Sequence, residues 1–427
     1  MGTHLDNLLK PEARRTTFYD ALVLDAKLRQ SLVTMRSLGS RGLTIAALEV
    51  ADVLQQSKHV PAFVSRWCRR AYVAPSYLQQ TDAFLDYLLH ILDHTGAQVV
   101  IPSADGTLEV LRAHRETVAR RAQLALAKEE ALAVATDKEK TLDIASRLGI
   151  GIPRGVSVQH VDEVPEAVRT VGLPAVVKPV ESWLWGKGRG VRVISQLVTT
   201  HDEAREAVEE LTQHGGSTLF QQFLDGRREA ISLFYADGTM YARFAQWAKR
   251  TQPPLGGTSV YRQSIALPED ITGQAERLVR AIELEGYSEV EFRRDSAGRP
   301  YLMEINPRLS ASIEVAVRAG VDFPYLLYQW ARGEKLERVT SYQTGGWMRF
   351  LEGDILTTAQ ALAQRGRPGV APPAQSLLDF IAAFFTPAAY DYLDKDDIRP
   401  LWTATRDFLH RGVQRVIRGP SSRRNMQ

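Results

Sequence analysis

Residues 288–308 read SEVEFRRDSAGRPYLMEINPR, and this stretch decides how the rest of the chain is read. Its two arms have the texture of antiparallel strands joined by a tight turn. A two-residue loop at Ala297-Gly298 puts Glu291 directly opposite Glu304. Side chains two apart share a strand face, so Glu304 and Asn306 point the same way, while Val290, Phe292, Met303 and Ile305 turn toward the core. Two carboxylates and an amide oxygen then meet on one face. Like charges so placed repel unless a cation lies between them. Hard oxygen ligands from few residues, with room for phosphates, are the usual arrangement for Mg²⁺. For E-x-N alone, a solvated sheet face is the plainer alternative. The opposed Glu291 and the strand-ending Pro307-Arg308 favour the metal.

Working outward, TLFQQFL (218–224), EAISLFY (229–235) and TMYARFAQW (239–247) read as successive antiparallel strands, with Asp237-Gly238 turning the last pair. A helix over 269–284 precedes the hairpin. Further upstream, the strand PAVVKPV (174–180) is followed by ESWLWGKGRG (181–190) and VRVI (191–194). Gly186, Gly188 and Gly190 lie between two strands, whereas a dinucleotide loop runs from strand into helix. The Walker pattern does not occur. A strand–loop–strand hinge offers backbone N–H groups that close over phosphates; a surface hairpin is the alternative. Lys178 interrupts an apolar strand, which a phosphate, a salt bridge or an exposed strand end would explain equally well.

The first 125 residues read as an α/β unit. Strand 20–26, helix 29–39 capped by Gly39 and strand 43–50 form a β-α-β unit that favours a parallel sheet. Helix 82–94 and strand 97–103 repeat the pattern. Residues 115–150 read as helical, with a new helix starting at Thr136-Asp137 and ending at Gly149. Beyond 335 come a loop at 340–346, a Pro-Gly-rich stretch at 366–374 and two helical patterns. The end from Arg411 carries five Arg and no acid and reads as solvated. No period of 20–50 residues repeats, which excludes solenoids and propellers.

The 427 residues allow two to four domains. With 53 Lys plus Arg against 50 Asp plus Glu, the net charge of +3 gives no case for nucleic acid or membrane partners. The single cysteine excludes a disulfide framework or a Cys-based zinc cluster. No apolar run approaches the ~18 residues of a membrane span, and the first residues lack the apolar segment of a secretory signal. Gly2 follows Met1, but Asn7 stands near where myristoylation wants Ser or Thr. A cytoplasmic protein is expected. His90 and His94 lie one helical turn apart without a clear third ligand, so an amphipathic helix explains them better than zinc. Cys68, in RWCRR, reads as a packed or inert thiol. The basic cluster 66–70 lacks the aromatic interleaving of an RNA platform, and no G-x-S-x-G elbow exists.

Taken in order, these pieces resemble the ATP-grasp superfamily. The nearest group is the carboxylate–amine ligases whose nucleotide site resembles the carbamoyl-phosphate synthase large chain. TDKEKTLDIASRLGIGIP (136–153) is similar to the helix opening the nucleotide domain, and PAVVKP with GKGRG to the strand and phosphate flap. FQQFLDG (220–226) resembles the linker that holds adenine, residues 286–312 the metal hairpin, and AGVDFPYLLYQWARGE (319–334) the segment that follows it. The resemblance spans about 136–335. It implies α/β and α+β architecture: an N-terminal parallel α/β domain (1–125), an ATP-grasp small lobe with the flap (126–215), a large lobe with the Mg²⁺ site (216–338) and a C-terminal extension (339–427).

The resemblance also implies roles. Lys138 and Lys178 would meet the phosphates under Gly186, Gly188 and Gly190. Gln221, Gln222, Phe223 and Leu224 would line the adenine, with only a backbone-type contact at Gln222, where many relatives carry an acid. Glu229 would hold the ribose hydroxyls. Glu291, Glu304 and Asn306 would bind one or two Mg²⁺ ions, or Mn²⁺. Arg308 would stabilise charge at the γ-phosphate. Arg262, in PPLGGTSVYRQ (253–263), would meet an acyl phosphate or a substrate carboxylate. The flap's Trp183 and Trp185 are a bulk that the resemblance does not account for. The implied reaction is ATP-dependent ligation of a small-molecule carboxylate, such as an amino acid or peptide, to an amine through an acyl phosphate, giving ADP and phosphate. Activation of bicarbonate or another small carboxylate, as in carbamoyl-phosphate synthases, and a non-catalytic ATP-binding regulator are the rivals. A homodimer is the default assembly.

Overall fold

The computed structural model describes residues 18–57, 59–181, 183–186, 189–192, 195–213, 216–254 and 256–418. Its first layer is a parallel sheet of β1 (Ala21–Val23), β2 (Ile45–Val50), β3 (Cys68–Ala74), β4 (Val99–Ile101) and β5 (Gln123–Leu124) in the order β3-β2-β1-β4-β5. β1 and β4 are buried at every residue, as expected of apolar strands covered on both faces. Helix Thr81–Thr95 buries Phe84, Leu88, Ile91, Leu92 and Thr95 and stops at left-handed Gly96 (φ 58°), a conformation that glycine adopts without a Cβ penalty. Gly39 is no helix cap, a correction to the sequence reading. Helix Arg29–Ser40 runs past it, and a Cβ there would lie 2.7 Å from the Trp67 side chain. The glycine serves close packing instead.

A second sheet, antiparallel and ordered β10-β7-β11-β6, contains β6 (Gly155–Val158), β7 (Ala175–Pro179), β10 (Gln196–Val198) and β11 (Thr218–Gln222). β11 therefore belongs here and does not continue into the strands after it, contrary to the reading of 218–247 as one run. β8 (Trp183–Gly186) and β9 (Arg189–Arg192) form a separate two-stranded hairpin. Helices Val164–Val171 and His201–Thr212 cover the second sheet with Val164, Ala167, Ala204, Val208 and Leu211.

The third sheet has seven strands: β12 (Arg228–Ala236), β13 (Thr239–Gln252), β14 (Thr258–Ile265), β15 (Gly286–Arg294), β16 (Pro300–Asn306), β17 (Trp347–Arg349) and β18 (Ala388–Tyr390), ordered β16-β15-β12-β13-β14-β17-β18. Asp237 (φ 46°) and Gly238 (φ 71°) make the expected turn between β12 and β13. The last two strands were not legible in the sequence. β17 pairs with β14 and β18 with β17, so residues beyond 339 complete the sheet instead of trailing from it. The basic end beyond Arg411 lies largely outside the described residues; at its start, helix Arg399–Arg418 holds Asp407 against Lys27 at 2.8 Å, and Arg411 bonds both Asp407 and Glu352.

The decisive hairpin keeps its expected register by an unexpected route. The loop is not Ala297-Gly298 alone but Asp295–Arg299, whose N–H groups at Ala297 and Arg299 donate to the Asp295 carboxylate at 3.0 and 2.8 Å. A bulge then shifts the pairing between Glu291 and Phe292, so Glu291 still faces Glu304 while Phe292 faces Leu302. The extra residue takes Met303 out of the core and puts Leu302 in it, fully buried beside Val290, Phe292 and Ile305.

Candidate active site

Three elements converge on the polar face of this hairpin. Asp137 caps helix Lys138–Arg147, its carboxylate accepting from Lys140 N–H at 3.0 Å, and so fixes Lys138 at the first turn. Lys138 Nζ lies 3.9 Å from Glu304 Oε2. Lys178, on β7, contributes a second ammonium that interacts electrostatically with Glu304 and Glu291. The parallel sheet supplies the third element. Its strand order reverses at β1 and β4, and ligand crevices of open α/β sheets form outside such a point. There Asp25 accepts from Ser103 N–H, Ala104 N–H and Thr107 Oγ1 at 2.8, 2.8 and 2.6 Å. Those bonds anchor the turn into helix Asp105–Ala113, whose Asp105 accepts from Arg308 Nε at 2.5 Å. A cleft lined by Asp105, Lys138, Trp183, Glu304 and Asn306 lies between these elements.

The two opposed carboxylates are unlike each other. Burial would raise the Glu304 carboxyl, but Lys138, Lys178 and Arg228 outweigh it and hold its pKa below the ordinary value. Burial pushes Glu291 up to about 7, with Glu304 and Glu289 adding to the rise against the pull of Arg228. Arg228 was not foreseen. It lies on β12, next to β15, and grips Glu291 through Nη2 (2.6 and 2.5 Å) and Nε (3.0 Å). Asn306 Nδ2 donates to Glu291 Oε1 at 3.2 Å. The cation that the sequence demanded between the acids is thus partly supplied by the protein. Behind them, buried Glu289 accepts from Gln246 and Ser310 at 2.8 and 2.9 Å; burial raises its pKa. The polar donors Arg228, Gln246 and Ser310 come from strands and loops whose register with β15 was not drawn from sequence.

The remaining expected residues divide. Arg308 reaches the cleft wall through Asp105, and Asp105, Glu304 and Glu289 hold its guanidinium firmly protonated against burial. Gly186 and Gly190 lie in β8 and β9; Gly188 falls outside the described residues. Gln221 is 2% exposed. The Gln222 N–H donates to the Arg154 carbonyl at 2.9 Å, so the expected backbone contact there must use another group. The Phe223 N–H is 3.4 Å from the Pro174 carbonyl and Leu224 is buried. Glu229 is a correction. It alternates with Arg228 and so lies on the other face of the sheet, where Arg227 (3.0 Å) and Arg294 (2.7 Å) hold its carboxylate. Arg262 is a second correction. It has no exposed surface and makes a two-pronged pair with Asp391 (2.9 and 2.8 Å), which also meets Arg29 at 3.2 Å. A guanidinium so enclosed braces the fold and does not meet a substrate.

Two opposed carboxylates and an amide oxygen are a donor set suited to a hard divalent cation. Among the described residues no group of three or more His, Cys, Asp or Glu side chains could hold a metal ion; the His90 and His94 rings lie 3.8 Å apart between centroids. No helix among the described residues is long and apolar enough to cross a membrane.

Comparison with known proteins adds to this geometry. Residues 218–352 match the family described as "ATP-grasp in the biosynthetic pathway with Ter operon". The carbamoyl phosphate synthase large chain of Clostridium acetobutylicum is 24% identical over 216 residues, 49% of this chain and 20% of that protein. The match thus spans about a fifth of the length of such curated relatives. Among solved structures, biotin carboxylase from Campylobacter jejuni superposes with a TM-score of 0.62 at 14% identity, covering 77% of this chain and 74% of that one. L-amino acid ligase from Bacillus licheniformis gives 0.57 at 18% identity, with 74% and 75% covered. At these identities the structural likenesses establish the fold.

Proposed function

We propose, from the match of residues 218–352 to the ATP-grasp family model and from the fold shared with biotin carboxylase, that the chain is an ATP-dependent ligase that activates a substrate carboxylate and joins it to an amine. The observation that carries the proposal is Glu304, opposite Glu291 and 3.9 Å from Lys138 Nζ, its carboxyl held below the ordinary pKa by Lys138, Lys178 and Arg228. Glu304, Glu291 and Asn306 would hold Mg²⁺, which supplies charge neutralisation between the phosphates. Lys138 and Lys178 bind the phosphates as point charges. Arg308, fixed by Asp105, faces the charge that develops at the γ-phosphate. Gln221 to Leu224 line the adenine, and the β8–β9 hairpin covers the phosphates.

A carboxylate oxygen attacks the γ-phosphorus and ADP leaves. The amine nitrogen then attacks the acyl carbon, and phosphate leaves. Phosphoryl transfer of this kind rests on positioning and charge and needs no nucleophilic side chain. Amino acids or peptides are the proposed substrates. The three sheets support a division into an N-terminal α/β domain, a small lobe that extends to include β11, and a large lobe that includes β17 and β18. Glu304→Gln should keep the fold by circular dichroism and lose ADP release with a cognate acid and amine found by mass-spectrometric screening. Wild-type ADP release from that variant would remove the metal assignment. The carbamoyl phosphate synthase likeness favours bicarbonate as the alternative acid; ADP release that needs bicarbonate and no other carboxylate would select it. ATP binding without turnover on any substrate panel would select a regulator.

A further inference from the structure

We propose that Trp183 is the positioning residue that seats the glycine hairpin over the cleft, by lodging its indole in a socket built by the N-terminal domain. The proposal rests on reading the β8–β9 hairpin as the phosphate cover. The β8–β9 hairpin pairs only with itself among the described strands, and an isolated two-stranded hairpin is marginal in water. Backbone bonds hold the chain as far as its base, where the Lys138 N–H donates to the Val180 carbonyl at 3.1 Å and Glu181 bridges Asp137; beyond that point its seat rests on side chains. Trp183, the first residue of β8, is 9% exposed. Its ring lies 5.7 Å from that of Tyr77, tilted by 51°, and Tyr77 stands edge-on to Phe84 at 5.4 Å.

The floor of the socket is a missing side chain. Gly106 is the second residue of helix Asp105–Ala113, and a Cβ there would lie 2.7 Å from Trp183 Cη2 and 2.6 Å from Tyr77 Cε2. The indole therefore occupies space that only glycine leaves open. Trp183 joins the same buried cluster as Tyr77, Phe84, Leu108 and Val180. It also lines the cleft shared by Lys138, Glu304 and Asn306. One side chain thus touches the N-terminal domain, the hairpin and the cleft. Asp105, beside Gly106, already pairs with Arg308, so the helix that receives the indole also sets the arginine. A seated hairpin excludes water from an activated intermediate; an unseated one admits it.

The test has two arms. In the first, trypsin is added without nucleotide and cleavage after Arg189 and Arg192 is followed by mass spectrometry. Trp183→Ala should be cut about tenfold faster than wild type, consistent with losing one aromatic contact and its burial. Trp183→Phe should recover most of the protection, and Gly106→Val, which fills the socket from the other side, should behave like the alanine variant. Wild-type cleavage rates in Trp183→Ala would overturn the proposal, whether or not the chain is a ligase. In the second arm, the ratio of ligated product to ADP is measured. Trp183→Ala should lower that ratio, with Phe restoring it. Faster cleavage with an unchanged ratio would make Trp183 a packing residue only and overturn its positioning role. Wild-type protein that releases no ADP on any panel would sink the ligase reading instead, and leave the first arm standing.

Discussion

Raising the pH from 7 to 10 in metal-free buffer should weaken ADP binding, and Lys178→Arg should abolish the effect. The Lys178 ammonium has an ordinary pKa of 10.5, lowered to about 8 chiefly by burial, with Lys138 and Arg293 adding to the fall and Glu304 and Glu291 opposing it. A depression of that size is worth about 3 kcal/mol at ~1.4 kcal/mol per unit. Below pH 8 the amine is charged and ready for a diphosphate. Above it, the free protein has lost the proton and must take one up to bind, so affinity falls by up to about tenfold per pH unit. Between pH 8 and 10 the Kd should therefore rise by up to roughly a hundredfold. Stability of the free protein should move the other way. The folded pKa lies below the unfolded one, so the penalty of burying the charge is present below pH 8 and is relieved as the pH climbs from 8 toward 10.5. Calorimetric titration of ADP in EDTA at unit steps of pH, paired with urea melts, reads both slopes. Lys178→Arg stays charged throughout and should bind with a flat profile from pH 8 to 10, above the range near 7 where Glu291 titrates. A flat wild-type profile, or the same slope in the arginine variant, would refute the assignment of Lys178 to the phosphates.

Other expectations follow from the ion pairs and the thiol. Arg228→Leu removes the guanidinium from Glu291 and should lower metal-free stability by about 3 kcal/mol while tightening Mg²⁺ binding, measured by thermal melts with and without the ion. Unchanged Mg²⁺ affinity would show that Arg228 and the cation do not compete. Asp391→Asn leaves Arg262 and Arg29 charged and buried together, which should cost about 3–5 kcal/mol in denaturant unfolding; a loss under 1 kcal/mol would contradict the bracing role. Cys68, pushed by burial to about 12, should react with iodoacetamide at pH 8 roughly a thousandfold more slowly than an unperturbed thiol. Free-thiol kinetics by mass spectrometry would overturn that.

What sequence could show was whatever repeated along the backbone or sat in a short ordered motif. The parallel first sheet, the capped helix at Asp137 and the opposition of Glu291 to Glu304 were all legible. The last was legible for an incomplete reason, since the five-residue loop and the bulge cancel each other in register. Illegible were contacts between strands far apart in the chain. Arg228 meets Glu291 across 63 residues and Arg262 meets Asp391 across 129, and neither separation carries a periodic signal. Arg262 shows the trap: a lone basic residue near a substrate-like loop reads as a ligand until its buried acid is known. Glu229 shows a smaller one, because a motif position does not say which sheet face it occupies.

The seven-stranded sheet also has an order in time. During synthesis, β14 emerges with one edge bare, and its cover at Trp347–Arg349 lies some 80 residues further along the chain. At ~5–20 residues per second, that edge waits on the order of several seconds. The wait is longer for the first domain, because Lys27 and Arg36 meet their partners Asp407 and Asp397 only after about 360–380 more residues have been added. The large lobe and the N-terminal sheet thus reach their final form late and together. A ribosome that stalls before residue 347 presents the cell with an open strand edge, the kind of surface that chaperones and proteases survey.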